Sequence, residues 1–297
     1  MKATWKSLIV VATMLVAAVQ IASAQTAAPA ALAARQPVLL GTTGACHNVQ
    51  PGGPCEQTST LVQIDPQTGA LIREIGPVGY TVNGLAWDAR TGKLYGSTAI
   101  GDVAFHGLIT INPFTGAGKP VNPKATNFGL VGDPSPVHSI TIDFLGQMVA
   151  WYDEKPGPGV TDTFVRLNKR TGVATEFPNT GLNSNQNGLA FQTFGPISIL
   201  WNIDSPKVDP VTSVVSQEAY VINPFNGKVL VSRPITPPMN AALGDFSPLD
   251  LHYYGLDFPP GRDVPNVNLV QVSPVLGTAK LIGPTVDNLH VLVFVKH

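Results

Sequence analysis

The sequence predicts an all-β fold: a single β-propeller, with five four-stranded blades as the expected number. A strand-and-turn phrase occurs five times, and its Asp, Asn or Ser residue falls at positions 65, 112, 168, 223 and 273. Charged residues make up only 12% of the chain, while Gly and Pro number 29 and 27, which is typical of short strands joined by tight turns. A repeat of about 50 residues with several short strands in each unit indicates a propeller.

The repeated phrase is a strand of alternating apolar residues that ends in a turn. Its Asp or Asn side chain can accept a hydrogen bond from the backbone two residues on, Pro fixes φ, and the final Gly takes the left-handed conformation. We therefore interpret these Asp and Asn residues as turn formers rather than ligands. The five copies occupy 61–69, 108–116, 164–172, 219–227 and 269–277.

A second phrase, rich in small and apolar residues, alternates with the first. It begins near residues 82, 137, 186 and 239 and returns at 289–296. We expect it to form the innermost strand of each blade, because small residues suit the crowded axis. The first full blade then has strands near 82–88, 93–99, 108–112 and 119–121.

The two ends of the propeller region are predicted to share a blade. The region begins with what reads as a second strand, Pro37-Val-Leu-Leu-Gly-Thr, and ends after an inner strand. Pairing of the C-terminal strand with the N-terminal segment completes the fifth blade and removes the exposed sheet edges of an open array.

The alternation of Asn83-Gly-Leu-Ala-Trp-Asp, Thr91-Gly-Lys-Leu-Tyr-Gly and Leu61-Val-Gln-Ile-Asp-Pro-Gln-Thr-Gly resembles a family of bacterial exported β-propeller proteins. Their repeats read GLAFD…TGxLYG…LxxIDPxTG and are similar to NHL and other WD40-like repeats. The resemblance covers about residues 37–297. It implies a propeller scaffold and no particular activity, because these motifs are structural.

The N-terminus has the pattern of a secretory signal. Lys2 and Lys6 precede an apolar run at 8–19, and Ala22-Ser23-Ala24 fits a cleavage site. We expect residues 1–24 to be a signal peptide, 25–36 a disordered linker and 37–297 the propeller domain. The alternative is an uncleaved membrane anchor. The prediction is a periplasmic or secreted protein that has no membrane attachment after cleavage.

The chain has two cysteines, Cys46 and Cys55, separated by eight residues. A nearby pair in an exported chain is expected to form a disulfide bond. A metal-binding or redox pair is the alternative, although two cysteines alone make a poor zinc site.

The net charge and the distribution of charged residues limit the classes of binding partner to be expected. The predicted mature chain carries 18 − 2 = 16 basic residues against 19 acidic ones, with no basic cluster, which excludes nucleic acid and anionic membranes as expected partners. The remaining classes are a small polar ligand, a glycan or an exported protein. We expect the chain to be a monomer.

A candidate site lies at the starts of the inner strands. The long connections between strands should share one propeller face, where binding often occurs. On that face a ring of polar side chains can bind a polar ligand or supply oxygen ligands to Ca²⁺. Capping of strand ends is the alternative role. The ring consists of Asn83, His138, Asn187, Asn240 and Asn288.

The predicted function is non-enzymatic binding of a ligand or protein partner on the long-loop face. No nucleophile elbow, HExxH motif, phosphate loop or dinucleotide fingerprint occurs in the sequence. The main alternative is a metal-dependent hydrolase or lyase, lactonase-like, with the ion in the central channel. A glycosidase using acids such as Asp143 or Asp245, and a lectin-like module, are further alternatives.

Overall fold

Twenty-two β-strands occur in the part of the chain that a computed structural model describes, which is 36–44, 58–98, 102, 105–130, 137–152, 163–177, 182, 188–209, 211–258 and 267–296. One 3₁₀ turn, Thr126–Gly129, accompanies them. The strands are β1 Val38–Thr43, β2 Thr60–Ile64, β3 Leu71–Pro77, β4 Val82–Asp88, β5 Lys93–Thr98, β6 Leu108–Ile111, β7 Gly118–Pro120, β8 Val137–Ile142, β9 Met148–Tyr152, β10 Thr163–Leu167, β11 Ala174–Phe177, β12 Gly188–Phe194, β13 Ile197–Ile203, β14 Lys207–Val208, β15 Val215–Ser216, β16 Glu218–Ile222, β17 Val229–Pro234, β18 Ala242–Phe246, β19 Tyr253–Asp257, β20 Asn268–Ser273, β21 Thr278–Pro284 and β22 Leu289–Val295.

Twenty of these strands form five antiparallel four-stranded sheets, which confirms the predicted five-bladed propeller. From the axis outward, blade 1 is β22-β1-β2-β3 and blade 2 is β4-β5-β6-β7. Blade 3 is β8-β9-β10-β11, blade 4 is β12-β13-β16-β17, and blade 5 is β18-β19-β20-β21. The innermost strands contact one another in the circular order β4, β8, β12, β18, β22 and back to β4.

Blade 1 is built from both ends of the propeller region, as the sequence predicts. Strand β22 pairs antiparallel with β1, from Val38 opposite Val295 to Thr43 opposite Leu289. The inner edge of β1 is therefore paired, and the ring is closed by backbone hydrogen bonds.

The repeated turns have the predicted chemistry. In four of the five copies the Asp or Asn side chain accepts a hydrogen bond of 2.9 Å from the backbone N–H two residues on. The closing glycines have φ between 68° and 82°. Gly116 has a further constraint, because a Cβ added to it would lie 2.3 Å from the carbonyl oxygen of Gly76 in the neighbouring blade.

The core is divided among the five interfaces between blades. Because successive side chains of a strand point to opposite faces, neighbouring residues of β1 serve different interfaces. Leu39 packs with residues of blade 5, whereas Leu40 packs with residues of blade 2. The other three interfaces likewise bury apolar side chains from adjacent blades.

Blade 4 carries a small hairpin, β14–β15, between its second and third strands. The hairpin turn repeats the phrase chemistry, since Asp209 accepts the backbone N–H of Val211 at 2.8 Å. Ser213, with φ of 58°, occupies the position that Gly has in the other turns. The sequence analysis did not identify this sixth copy.

Contacts group Pro37–His297 into one unit. In the described residues no helix is long and apolar enough to span a membrane. The predicted signal peptide, the predicted linker except residue 36, Cys46, Cys55 and Asn187 lie outside the described residues.

Candidate functional site

A cavity of about 450 Å³ lies on the propeller axis, where the inner strands end. All five inner strands and the short turns that follow them contribute lining residues. The volume is in the range of small-molecule pockets. The cavity opens on the short-turn face, because its lining includes the exposed residues Ala89, Arg90, Gly195, Pro248 and Lys296.

Asp245 in β18 lines this cavity and is held there by backbone donors. Its Oδ1 accepts the N–H of Phe246 at 2.8 Å, and its Oδ2 accepts the N–H of Phe294 at 2.9 Å. Phe294 belongs to β22, so the carboxyl links the inner strands of blades 5 and 1. Each oxygen keeps a further lone pair for another donor.

Burial raises the pKa of the Asp245 carboxyl to about 7, although the two backbone hydrogen bonds act in the opposite direction. Desolvation disfavours the charged form of a carboxyl. Asp245 therefore changes charge near neutral pH, which is unusual for a residue of this type.

A β-bulge in β18 positions Asp245. The pairing of β18 with β19 shifts between Ala242 and Asp245, and Leu243 has a φ of 52°. Gly244 is required beside it, because an added Cβ would lie 1.8 Å from the carbonyl oxygen of Tyr254. The Gly244 N–H donates to the hydroxyl of Tyr253 in β19 at 2.6 Å, and this hydrogen bond stabilises the bulge.

A second carboxyl, that of Asp143, lines the same cavity. It follows β8, and its Oδ1 accepts the backbone N–H of Gln147 at 2.7 Å. The two acids that the sequence analysis named for a glycosidase are thus brought to one cavity. The sequence analysis had not placed them together or recognised a cavity at this end of the channel.

Aromatic residues contribute to the remaining lining, and they come from all five inner strands or the turns after them. Three of them also pack in the cores between blades. The five aromatic residues are Trp87, Phe144, Phe191, Phe246 and Phe294.

The cations of the cavity lie at its mouth. Arg90 and Lys296 are both exposed, and the Arg90 guanidinium donates to the carbonyl oxygen of Leu145. Nearby, Lys169 forms an ion pair with the buried Asp88 at the end of β4. Burial raises the pKa of Asp88, but hydrogen bonds from Lys169 and Thr91 and the Lys169 charge outweigh it and lower the pKa below its usual value.

The described members of the predicted polar ring lie at the starts of the inner strands, whereas the cavity lies at their ends. The Oδ1 of Asn83 accepts a hydrogen bond from the ring Nε2 of His290 at 3.2 Å. His290 was not among the predicted ring residues. It takes this place because β22 has a bulge where it pairs with Thr42 and Thr43.

The other ring candidates have separate partners. His138 is buried, and its Nδ1 lies 3.2 Å from the hydroxyl of Ser139. Asn240 accepts a hydrogen bond from Ser205 at 3.4 Å. Asn288 is exposed in the turn before β22, with φ of 59°. The ligand-binding role of this ring stays a prediction.

Within the described ranges, no group of three or more His, Cys, Asp or Glu side chains is placed to hold a metal ion. The Ca²⁺ site at the ring stays a prediction.

No protein-family model and no curated protein matches this sequence. Among solved structures, TolB from Acinetobacter baumannii aligns at 9% identity and a TM-score of 0.47, covering 87% of this chain and 66% of TolB. A glucose dehydrogenase aligns at 14% identity and a TM-score of 0.45, covering 81% and 78%. An auxiliary nutrient binding protein from Bacteroides ovatus aligns at 10% identity and a TM-score of 0.33, covering 83% and 64%. Identities this low do not transfer a function to this chain.

Proposed function

We propose that this protein is an exported ligand-binding propeller whose axial cavity holds a small molecule. The observation that carries the proposal is the composition of that cavity. Five aromatic residues line about 450 Å³ of space, and the carboxyl of Asp245 is fixed at this cavity by two backbone hydrogen bonds. Apolar walls with a few oriented polar groups are the usual features of small-molecule sites.

The rigid scaffold supports this proposal. All lining elements are inner strands or the short turns after them, and each inner strand is paired within its own blade and packed against its neighbours. A site built on such elements keeps its geometry without a ligand, which lowers the entropic cost of binding.

The long-loop face remains a separate hypothesis. The long connections on that face include 43–59, 99–107, 152–163 and 257–268. In each of these four, more than half of the residues fall outside the described part of the chain. Binding of a glycan or an exported protein there, and export itself, are supported by the sequence patterns alone.

The experiment is a ligand screen by thermal shift on the mature protein, with one variant that obstructs the cavity. Ala89→Trp adds a ring at the exposed mouth. The matched control, Val211→Trp, adds the same ring to the β14–β15 hairpin, where Val211 is 90% exposed. A ligand at 100 times its Kd should stabilise the fold by about 2.7 kcal/mol.

The expected result is a ligand that stabilises the wild type and Val211→Trp but not Ala89→Trp. Ligands that stabilise all three proteins equally would place binding elsewhere and overturn the proposal. Folding of both variants is checked first by circular dichroism and by the unliganded melting temperature.

A glycosidase is the second candidate, because one specific observation favours it. Asp143 and Asp245 line the same cavity, and glycosidases use a pair of carboxyl groups on either side of the scissile bond. Release of nitrophenol from a panel of aryl glycosides, lost in both Asp143→Asn and Asp245→Asn, would establish hydrolysis. Ligands from the screen that bind without turnover would reject it.

A further inference from the structure

The half-buried carboxyl of Asp245 has no cation beside it in the described part of the chain. Its hydrogen-bond donors among the described residues are the backbone N–H groups of Phe246 and Phe294. Arg90 and Lys296 line the same cavity but are exposed at its mouth, and the Arg90 guanidinium is already bonded to the carbonyl oxygen of Leu145. A buried carboxyl without a cation partner is stabilised by any ligand that supplies one.

The surrounding walls suit the same ligand. Aromatic rings attract cations electrostatically and also bury apolar groups. Phe246 and Phe294, whose backbone N–H groups hold the carboxyl, are both among the lining residues, as are Trp87 and Phe144. Asp143 adds a second carboxyl to the lining. An anionic ligand would be attracted by the two cations at the mouth, but inside the cavity it would face both carboxyls.

From this arrangement, and on the basis of the proposed function, we propose that the cavity binds an organic cation with an apolar body, such as an arylalkylammonium ion. The ammonium group donates to the Asp245 carboxylate, and the apolar body packs against the aromatic residues. The neutral-range pKa of Asp245, raised by burial to about 7, makes the binding depend on pH. A cationic ligand favours the ionised carboxyl, so affinity increases as pH rises towards 7 and then levels off.

Other titratable groups surround Asp245 and have to be separated from it. Within the described lining residues there is no histidine, and the groups on neighbouring elements are Tyr253 and Tyr254 of β19, His290 of β22, Lys296 after β22, Asp143 after β8 and Arg90 after β4. Asp143→Asn is the matched variant, because it removes a carboxyl from the same cavity and leaves Asp245 in place.

The test uses three probes of the same shape and different charge: phenethylamine, which is a cation at neutral pH, neutral 2-phenylethanol and anionic phenylacetate. Affinities for the mature wild-type protein are measured by isothermal titration calorimetry between pH 5.5 and 8.5. We expect the ammonium ion to bind at least tenfold more tightly than either other probe at pH 8. Its affinity should fall by about tenfold per pH unit well below pH 7.

Variants of Asp245 test whether this residue causes the preference for the cation and its pH dependence. Asp245→Asn and Asp245→Thr both keep an oxygen acceptor for the Phe294 N–H, and both should abolish the preference for the cation and its pH dependence. In Asp143→Asn the pH dependence should persist. If neither Asp245 variant folds, the pH profiles of the wild type and Asp143→Asn decide the question.

Three outcomes would overturn the inference: tighter binding of phenylacetate, equal binding of all three probes, or binding of none. Equal binding leaves the cavity as a ligand site without charge preference, so the proposed function survives. Binding of none, combined with a cavity-dependent hit of another class in the thermal-shift screen, also leaves the proposed function standing. The proposed function itself is overturned only if the thermal-shift screen yields no ligand whose binding depends on the cavity.

Discussion

The hydroxyl of Thr141 accepts the backbone N–H of Phe191 at 3.1 Å, across the boundary between blades 3 and 4. Asp245 makes the same kind of contact to Phe294 across the boundary between blades 5 and 1. Thr141 and Asp245 each follow a bulge in their inner strand. A threonine can therefore replace the strand-linking role of Asp245 while removing its charge.

Asp245 should make the stability of the protein depend on pH. Its pKa is raised from an ordinary value of 3.8 to about 7 in the folded state, so the folded state binds the proton more tightly than the unfolded chain. Its contribution to stability is present in full below about pH 4 and is lost as pH rises through about 7. The loss is roughly 4 kcal/mol at most, from 1.36 kcal/mol per pKa unit.

The measurement is the free energy of unfolding by urea from pH 4.5 to 8.5 for the wild type and Asp245→Thr. The wild type should lose stability relative to the variant as pH rises. Other titrating groups contribute equally to the unfolding free energies of both proteins. Their contributions therefore cancel in the comparison, including those that change with pH in the opposite direction. For example, burial raises the pKa of Asp250, but hydrogen bonds from His252, Tyr254 and Ser247 outweigh it and lower the pKa. Parallel profiles for the two proteins would contradict the prediction.

The ion pair between Asp88 and Lys169 should be important for stability, because the Asp88 side chain is 1% exposed. Lys169→Met leaves a buried carboxylate without its cation, and we expect a loss of about 2–4 kcal/mol. The control is Arg170→Met, at the exposed neighbouring position, which should change stability by less than about 0.5 kcal/mol. Equal effects of the two variants in urea unfolding would show that the pair is not stabilising.

The same pair predicts acid sensitivity. The pKa of Asp88 is lowered in the folded state, so its contribution is present above the ordinary carboxyl pKa and disappears as pH falls through the lower folded value. The difference in stability between the wild type and Lys169→Met should therefore shrink on acidification.

Gly188 allows close contact between blades 4 and 5. A Cβ at this position would lie 2.0 Å from the hydroxyl oxygen of the fully buried Tyr253. Gly188→Ala should cost about 1–3 kcal/mol through overpacking. Because the phenol oxygen is the clashing atom, Tyr253→Phe in the same chain should recover part of that loss. A double-mutant cycle measured by thermal unfolding tests this, and additive losses would reject the steric explanation.

The sequence predictions for export are tested by mass spectrometry of the protein recovered from a bacterial periplasm. The expected chain begins at Gln25, after Ala24. Cys46 and Cys55 should react with an alkylating reagent only after reduction. A chain that retains residues 1–24, or alkylation without a reductant, would contradict the corresponding prediction.

The fold was predictable because its turns repeat a chemistry that can be recognised locally. Asp65 and Asn112 bond to the backbone as their residue types suggest, and the spacing of the turns then gives the blades. The β14–β15 hairpin was not predicted from the sequence because Ser213 replaces the final glycine of the repeated turn. Without the glycine, the phrase around Asp209 looks like an ordinary loop.

The site was less predictable, because bulges shift the register of the inner strands. A bulge changes which side chains face the axis, and nothing in the local sequence marks its position. His290, rather than Asn288, therefore lies beside Asn83. Asp245 could be named as an acid, but its position in the cavity depends on the bulge at Leu243 and on the close approach at Gly244.

The shared blade sets an order of events for the newly made chain. Strand β1 has to wait for β22, since Val38 pairs with Val295, about 250 residues later in synthesis. Contacts of such long sequence separation form slowly. Blades 2 to 5 can assemble while the chain emerges, but the ring has an unpaired inner edge until its last strand arrives. The strand β22 is thus the one that converts an open row of sheets into the closed propeller.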